Sequence, residues 1–218
     1  MENDKLSNIR HSLAHLLAAS VLKKWPDTKL GIGPVIENGF YYDFQFTQPI
    51  SETDLKDLEK QMKKLIGGKL AFSGAEMKAD ELKKKYANQP FKLELIDEYA
   101  QEGLTLTSYK TGDIFEDLCK GGHVENTSEI DPDSFKLTKL AGAYWRGDEK
   151  NAQLTRIYGV AFATKAELDA YLKMMAEAEK RDHKKLGKEL GLFVFSETVG
   201  KGLPLFTPKG STIRRELE

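Results

Sequence analysis

The feature that most constrains this 218-residue sequence is the alternation of side chains between Phe40 and Phe46. In an extended strand successive side chains point to opposite faces, which places Tyr41, Asp43 and Gln45 on one face and a continuous aromatic set on the other. The aromatic face comprises Phe40, Tyr42, Phe44 and Phe46. Asn38-Gly39 precedes this strand and predicts a tight hairpin, because both residues tolerate positive φ. A strand with one aromatic face must be covered, so we expect a hairpin-linked sheet beneath helices.

Helical spacing predicts the covering elements. Apolar residues recur every three or four positions from Ile9 to Val21, and the first helix should end near Trp25-Pro26. A second helix should begin at Ser51 and end at Gly67-Gly68. The pattern predicts further helices over residues 75–86 and 165–188, and further strands over residues 70–72, 91–95, 104–106 and 154–162. This mixture predicts an α+β fold with a largely antiparallel sheet packed with helices.

Composition excludes several classes of protein. A hydrophobic fraction of 40% with 31% charged residues is typical of a globular chain. A single cysteine cannot form an internal disulfide, and no apolar run approaches the roughly 20 residues of a membrane span. No signal-peptide core follows the charged N-terminus, so we expect a cytoplasmic location and no membrane partner. The net charge of -1 argues against strong nucleic-acid binding, although local patches could still bind phosphates.

Three of the four histidines and the only cysteine fall into two pairs with the same spacing. His11 and His15 are four residues apart on the first predicted helix, so their rings face the same way. Cys119 and His123 are four residues apart in a glycine-containing loop. This concentration favours one shared site made from a helix and a distant loop. The alternative interpretation is two unrelated surface pairs.

Two chemistries fit such a site. One cysteine and three histidines match tetrahedral zinc in ligand type and number. The same groups could instead orient a water molecule and stabilise an oxyanion without metal. Small neighbours of the histidines predict open space above the imidazole rings; these are Ala14, Ala18 and Ala19.

Other candidates carry weaker signals. Asp117 lies two residues before the cysteine and points to the same side if the segment is extended. On sequence alone, an ordinary solvated carboxylate is the better interpretation of Asp117, and a solvent-facing lysine on a strand is the better interpretation of Lys92. Tyr42 shares its face with phenylalanines, which favours core packing.

Longer motifs resemble the editing domain of bacterial threonyl-tRNA synthetases. They occupy residues 10–17, 31–43, 117–123, 140–148, 156–159, 181–190 and 203–218. The pattern HxxxH with CxxxH would also fit the alanyl-tRNA editing proteins, but GIGPVIENGFYYDF and RDHKKLGKEL favour the threonyl branch. Gly122 stands where the family usually has proline before the loop histidine, which predicts a looser loop.

The resemblance runs from Ser7 to the last residue and implies three parts. These are a tRNA editing domain (residues 1–163), a linker helix (164–190) and the N-terminal piece of a class II aminoacylation domain (191–218). The remaining synthetase domains, which form a dimer in the full-length enzyme, are expected as partners. Without them we expect neither ligase activity nor ATP binding.

The resemblance also implies a reaction and residue roles. A threonine site discriminates poorly against serine, because one methyl group contributes only about 1–3 kcal/mol, so a second site must hydrolyse Ser-tRNA(Thr). The implied substrate is the tRNA(Thr) acceptor end carrying serine. By resemblance, the catalytic group comprises His11, His15, Lys92, Asp117, Cys119 and His123, and a wall of Gly33, Pro34 and Tyr42 limits side-chain size.

Finer roles follow the same resemblance. His11 would position or activate water, with Cys119 and His123 holding substrate and water. Asp117 would contact the ammonium or hydroxyl of the amino acid, and Lys92 would stabilise negative charge or bind the terminal adenosine.

The resemblance favours editing without a cofactor, although the alanyl relatives are understood to bind zinc at this constellation. Three alternatives remain open. These are a free-standing deacylase of the alanyl-editing type, a non-catalytic module that binds the tRNA acceptor end, and a zinc-structured interaction domain.

Overall fold

A computed structural model describes residues 2–200 and 202–217. The helices are α1 (Glu2–Lys24), α2 (Glu52–Gly67), α3 (Ala79–Lys85), α4 (Pro90–Gln101), α5 (Lys165–Lys180), α6 (His183–Glu189) and α7 (Pro208–Leu217). The strands are β1 (Lys29–Leu30), β2 (Val35–Ile36), β3 (Gly39–Gln45), β4 (Phe72–Glu76), β5 (Thr107–Thr111), β6 (Phe115–Leu118), β7 (Phe135–Tyr144), β8 (Gln153–Ala161), β9 (Phe193–Phe195) and β10 (Pro204–Phe206). Among the described residues, no helix is long and apolar enough to cross a membrane.

All strand pairs are antiparallel. The largest sheet has the order β1-β3-β8-β7, with β2 also paired to β3, and a second sheet has the order β4-β5-β6. Strands β9 and β10 pair separately. The α+β class, with antiparallel sheets packed with helices, is therefore confirmed.

The aromatic strand lies at the centre of this arrangement. Phe40, Tyr42 and Phe44 are fully buried in one core together with apolar side chains of α1 and α2. Helix α1 ends at Lys24, directly before Trp25-Pro26, as the sequence predicts. Covering the aromatic face removes large apolar side chains from water, which is the main stabilisation available to this fold.

The hairpin before β3 forms for a different reason from the one expected. Ile36 pairs with Gly39, so Glu37 and Asn38 make the turn. Neither Asn38 nor Gly39 has a positive φ. Gly39 is required instead by close packing, because a Cβ there would lie 2.0 Å from the carbonyl oxygen of Gly159 on β8.

Helix α2 begins and ends as predicted. The backbone N–H of Ser51 donates to Asp54 Oδ2 at 2.9 Å, which satisfies a donor that the helix itself cannot pair. The apolar stripe of α2 is buried, and Gly68 is the C-cap residue. This face of α2 packs on α1 in the main core.

The predicted strand over residues 91–95 is wrong. This segment belongs to α4, with Pro90 at the start of the helix, where its missing N–H costs nothing. Phe91, Leu95 and Ile96 are buried at helical spacing. Five residues of alternation cannot separate a strand from a helix segment, and the tertiary packing decides.

Two further boundaries differ from expectation. The predicted helix over residues 75–86 begins only at Ala79, because β4 continues to Glu76 in its pairing with β5. The predicted strand at Leu104 and Leu106 begins at Thr107.

The chain divides into two compact units, Met1–Leu168 and Asp169–Glu218. The predicted continuous helix over residues 165–188 is instead two helices, α5 and α6. Asp182 separates them and caps α6, since its Oδ1 accepts the N–H groups of Lys184 and Lys185, both at 2.9 Å. In the second unit Gly187 packs against the ring of Phe193. The three-part division at residues 163 and 190 stays a prediction.

Candidate functional site

A cavity of about 320 Å³ lies in the first unit. Of the nine residues predicted for the site, eight line it: His11, His15, Gly33, Pro34, Tyr42, Lys92, Asp117 and Cys119. The ninth, His123, stacks on His11 with a ring centroid distance of 4.1 Å. Residues from α1, the turn before β2, strand β3, helix α4 and the end of β6 therefore converge at one place.

The two matched pairs form a single cluster. Cys119 Sγ lies 3.3 Å from His11 Nε2 and 3.2 Å from His123 Nε2. One potential ligand atom from each of His11, His15, Cys119 and His123 lies within 4.8 Å of all the others. His15 is buried on the side facing the core, where its ring meets Phe115 edge-on.

The loop between the cysteine and His123 depends on its two glycines. Gly121 and Gly122 have φ values of +93° and +84°, a region that favours glycine. Proline, whose φ is held near about −65°, cannot take the conformation of Gly122. Glycine at this position is therefore what allows the loop its observed backbone conformation. The Gly121 N–H also donates to Cys119 Sγ at 3.3 Å.

A buried polar triad borders the cluster. Lys92 Nζ lies 2.6 Å from Asp117 Oδ1, and the two side chains are only 2% and 4% exposed. The Tyr42 hydroxyl donates to Asp117 Oδ2 at 2.5 Å and accepts from Lys92 Nζ at 3.1 Å. The solvent-facing lysine and the solvated carboxylate preferred from the sequence are therefore wrong.

Tyr42 fits both of its interpretations. Its ring is fully buried and stacks on Phe44, as a core residue does. Its hydroxyl nevertheless reaches the cavity through the bond to Asp117. The core side of this residue was visible in the alternation of the strand, and the polar side was not.

Burial keeps the cluster uncharged. It lowers the pKa of His123 to about 3 and raises the pKa of the Cys119 thiol to about 11. Burial also lowers the pKa of His11, and it lowers the pKa of His15 well below its usual range with help from the neighbouring histidines. At neutral pH the site therefore presents neutral imidazoles and a thiol rather than an imidazolium–thiolate pair.

The turn before β2 forms one wall. The N–H of Asp43 donates to the carbonyl of Ile32 at 2.9 Å, which holds the turn along β3. A Cβ at Gly33 would lie 2.3 Å from Tyr42 Cδ2, so only glycine lets the backbone pack flat on the tyrosine ring. Gly33, Pro34 and Tyr42 all line the cavity.

The alanines predicted to leave space above the imidazoles do not line the cavity. Ala14, Ala18 and Ala19 are buried in the main hydrophobic core. The prediction is wrong because these residues lie on the side of α1 that packs against other elements, and the open space lies elsewhere.

Several residues that line the cavity were not predicted from the sequence. Lys120 Nζ lies 4.7 Å from the ring centroid of Tyr99. Thr107 holds the backbone of Cys119 at both ends, because its hydroxyl donates to the Cys119 carbonyl and its carbonyl accepts the Cys119 N–H at 3.1 Å. Lys120 could have been suspected from its place beside the cysteine, whereas nothing in the sequence marks Thr107.

Part of the chain matches a known protein family. Residues 106–158 match the family described as the threonyl and alanyl tRNA synthetase second additional domain. This segment contains Asp117, Cys119 and His123, so the loop half of the site lies within the part of the chain that matches this family.

The proteins that match the whole chain are threonine–tRNA ligases. The chain is 50% identical over 228 residues to a threonine–tRNA ligase of Gloeobacter violaceus, covering 100% of this chain and 36% of that protein. It is 50% identical over 215 residues to threonine–tRNA ligase 1 of Bacillus subtilis (98% of this chain, 33% of that protein) and 48% identical over 217 residues to a threonine–tRNA ligase of Mycoplasmopsis pulmonis (97% and 36%). The chain thus spans about a third of the length of these relatives. The resemblance to bacterial threonyl-tRNA synthetases is confirmed.

Proposed function

We propose that this chain is the editing module of a threonyl-tRNA synthetase and hydrolyses the ester of Ser-tRNA(Thr). The observation that carries the proposal is one cavity in which a neutral His/Cys cluster faces a buried lysine–carboxylate pair. Ester hydrolysis needs a positioned water, a base, and stabilisation of the developing oxyanion. The serine-charged acceptor end of tRNA(Thr) is the proposed substrate.

The proposed roles use the charge state of each group. His11 is neutral because burial lowers its pKa, so a ring nitrogen can accept a proton from water. Cys119 and His123 would orient that water and the substrate through hydrogen bonds. Lys92 would stabilise the oxyanion or bind the terminal adenosine, and Asp117 would receive the ammonium or hydroxyl of serine.

The wall supplies the proposed selectivity. Gly33 packs on the Tyr42 ring, and the Tyr42 hydroxyl is held by Asp117, so this side of the cavity cannot move back easily. Forcing an extra methyl group against a rigid wall is strongly unfavourable. By contrast, a larger pocket built for threonine loses little binding free energy when serine lacks that methyl group. Serine would therefore enter and threonine would be excluded.

Zinc fits the cluster in ligand type and spacing. His11, His15, Cys119 and His123 would hold the ion. When bound, zinc would lower the pKa of a coordinated water and polarise the ester carbonyl. We propose editing without metal, following the threonyl branch of the resemblance, and stoichiometric zinc that is lost from a His11→Ala/Cys119→Ala variant would overturn this choice.

The decisive experiment compares the decay of Ser-tRNA(Thr) and Thr-tRNA(Thr) with the purified chain. We expect faster loss of serine than of threonine, and a fall of about 10²–10⁴-fold in the rate for His11→Ala. The control variant is His183→Ala, on α6 in the second unit. If Ser-tRNA(Thr) survives as long with the protein as in buffer, the hydrolase proposal is wrong.

Two observations keep other functions in view. The family description includes alanyl enzymes, so hydrolysis of Ser-tRNA(Ala) in the same assay would favour an alanyl-type deacylase. The chain has a net charge of -1 and spans about a third of the length of its relatives, and both facts favour weak tRNA binding. Salt-sensitive tRNA binding without hydrolysis would therefore favour a binding module. Such a module would need the remaining domains of the synthetase, which we expect to be dimeric and cytoplasmic.

A zinc-structured interaction domain predicts that chelators unfold the chain. A melting temperature that does not change with chelator would exclude this alternative.

A further inference from the structure

Ser12 is a buried polar residue at the rear of the His/Cys cluster. It lies on α1 between His11 and His15 and is fully buried. Its hydroxyl oxygen accepts the backbone N–H of Val124 at 3.1 Å and lies 3.4 Å from Nδ1 of His123. Ser12 therefore connects helix α1 to the loop that carries the second half of the site.

The hydroxyl proton of Ser12 has one destination. Among the described residues, His123 Nδ1 is the acceptor within hydrogen-bond reach, because the other contact of Ser12 Oγ is a donor. A buried hydroxyl without an acceptor is costly, so Ser12 donates to His123 Nδ1. His123 then carries its ring proton on Nε2, the nitrogen that faces Cys119 Sγ at 3.2 Å.

His11 lies on the other side of the sulfur. Its Nε2 is 3.3 Å from Cys119 Sγ, and its Nδ1 lies on the side of Gly122, where a Cβ would be 3.7 Å away.

The sulfur lies between these two histidines. It receives the Nε2–H of His123 and the N–H of Gly121, and its own proton has two acceptors in reach, His11 Nε2 at 3.3 Å and the Gly121 carbonyl at 3.9 Å. The hydrogen bonds from Ser12 through His123 to the sulfur therefore run in one direction.

We propose that Ser12 is a positioning residue that sets the tautomer of His123 and thereby makes its Nε2 a hydrogen-bond donor to Cys119 Sγ. Its catalytic consequence depends on the proposed hydrolase function, whereas the tautomer itself does not. With the Nε2–H of His123 directed at the sulfur, the thiol proton must turn away from His123, towards His11 Nε2 or the Gly121 carbonyl. Without Ser12, His123 Nε2 would no longer be held as a donor to the sulfur.

The test is nitrogen NMR of the histidine rings in the full chain, labelled with ¹⁵N-histidine and freed of zinc, with metal analysis as a check. In the unsubstituted protein we expect His123 to carry its proton on Nε2, with Nδ1 shifted as a hydrogen-bonded acceptor. In Ser12→Ala the Nδ1 resonance should move to the position of a nitrogen without a donor. The matched control is Ser20→Ala, on the same helix and 1% exposed, whose hydroxyl donates to the Leu16 carbonyl at 2.7 Å.

Two outcomes would overturn the proposal. One is a His123 proton found on Nδ1 in the unsubstituted protein, a measurement that needs no variant to fold. The other is a Ser12→Ala spectrum in which His123 is unchanged. If Ser-tRNA(Thr) is hydrolysed, Ser12→Ala should also lower kcat by roughly tenfold with KM little changed, the lower end of the effect of removing a hydrogen-bond partner behind a site histidine. If nothing is hydrolysed, the hydrolase proposal fails while the NMR result still decides the role of Ser12.

Discussion

Replacing Lys92 by methionine would leave a buried carboxylate without its cation. Lys92 and Asp117 are 2% and 4% exposed and 2.6 Å apart, so water cannot take over the role of the lysine. Removing one partner of a buried ion pair costs about 3–5 kcal/mol. In a chain of this size each kcal/mol lowers Tm by about 2–4 °C, so we expect Lys92→Met to lower Tm by roughly 6–20 °C.

Urea and thermal unfolding, followed by circular dichroism, measure this loss. Lys24→Met is the matched control, because Lys24 pairs with Asp54 at 2.7 Å but is 37% exposed, and such pairs contribute about 0–1 kcal/mol. The double variant Lys92→Met/Asp117→Asn removes both charges and keeps an acceptor for the Tyr42 hydroxyl, so it should recover more than half of the loss. A Lys92→Met protein within about 1 kcal/mol of the unsubstituted chain would refute the buried pair.

Three other predictions follow from the backbone and the histidines. Gly39→Ala should lower the free energy of unfolding by several kcal/mol, because its Cβ would lie 2.0 Å from the Gly159 carbonyl oxygen. Gly67→Ala, at the end of α2 where a Cβ meets nothing, should raise it by about 0.5–1 kcal/mol, and equal effects in thermal unfolding would contradict the packing at Gly39. Gly122→Pro should destabilise the loop and abolish deacylation despite matching the family's usual residue, because φ is +84°; a neutral effect would show that the loop takes another conformation. Stability should fall on acidification from about pH 6.5 towards pH 3, because burial lowers the pKa of His123 to about 3 and only the unfolded state takes up the proton. The slope is at most about 1.4 kcal/mol per pH unit for that histidine, and an equal slope in His123→Gln would argue against this origin.

Periodicity was sufficient where an element buries a continuous face. Helix α1, the aromatic strand β3 and helix α2 have enough residues in one pattern to specify the element, and in β3 and α2 the pattern also specifies the buried side. Helix α1 has no exposed residue between Ile9 and Val21, so its pattern could not show which side faces the cavity. Periodicity failed for α4, where five alternating residues also satisfy a helix. It also missed the break at Asp182, where a single side chain caps a new helix within a polar stretch.

The site divides in the same way. Its reactive residues could be proposed from the sequence, because histidine and cysteine are rare here and occur in two pairs of equal spacing. The environment of Lys92 could not be proposed, since the lysine becomes buried only when α4 packs beside β6 and β3. Its partners are distant in the chain: Tyr42 and Asp117, which share a hydrogen bond, are 75 residues apart.

The sequence by itself determined the fold class, the aromatic core strand and the chemical identity of the cluster, because these depend on local spacing and residue type. Only the tertiary structure decided the protonation states, the buried Lys92–Asp117 pair and the direction of the hydrogen bonds that begin at Ser12. The physical reason is that pKa values and proton positions depend on which distant groups exclude water together. His11 and Cys119, 108 residues apart in the chain, acquire their shared chemistry only when the fold brings them within 3.3 Å.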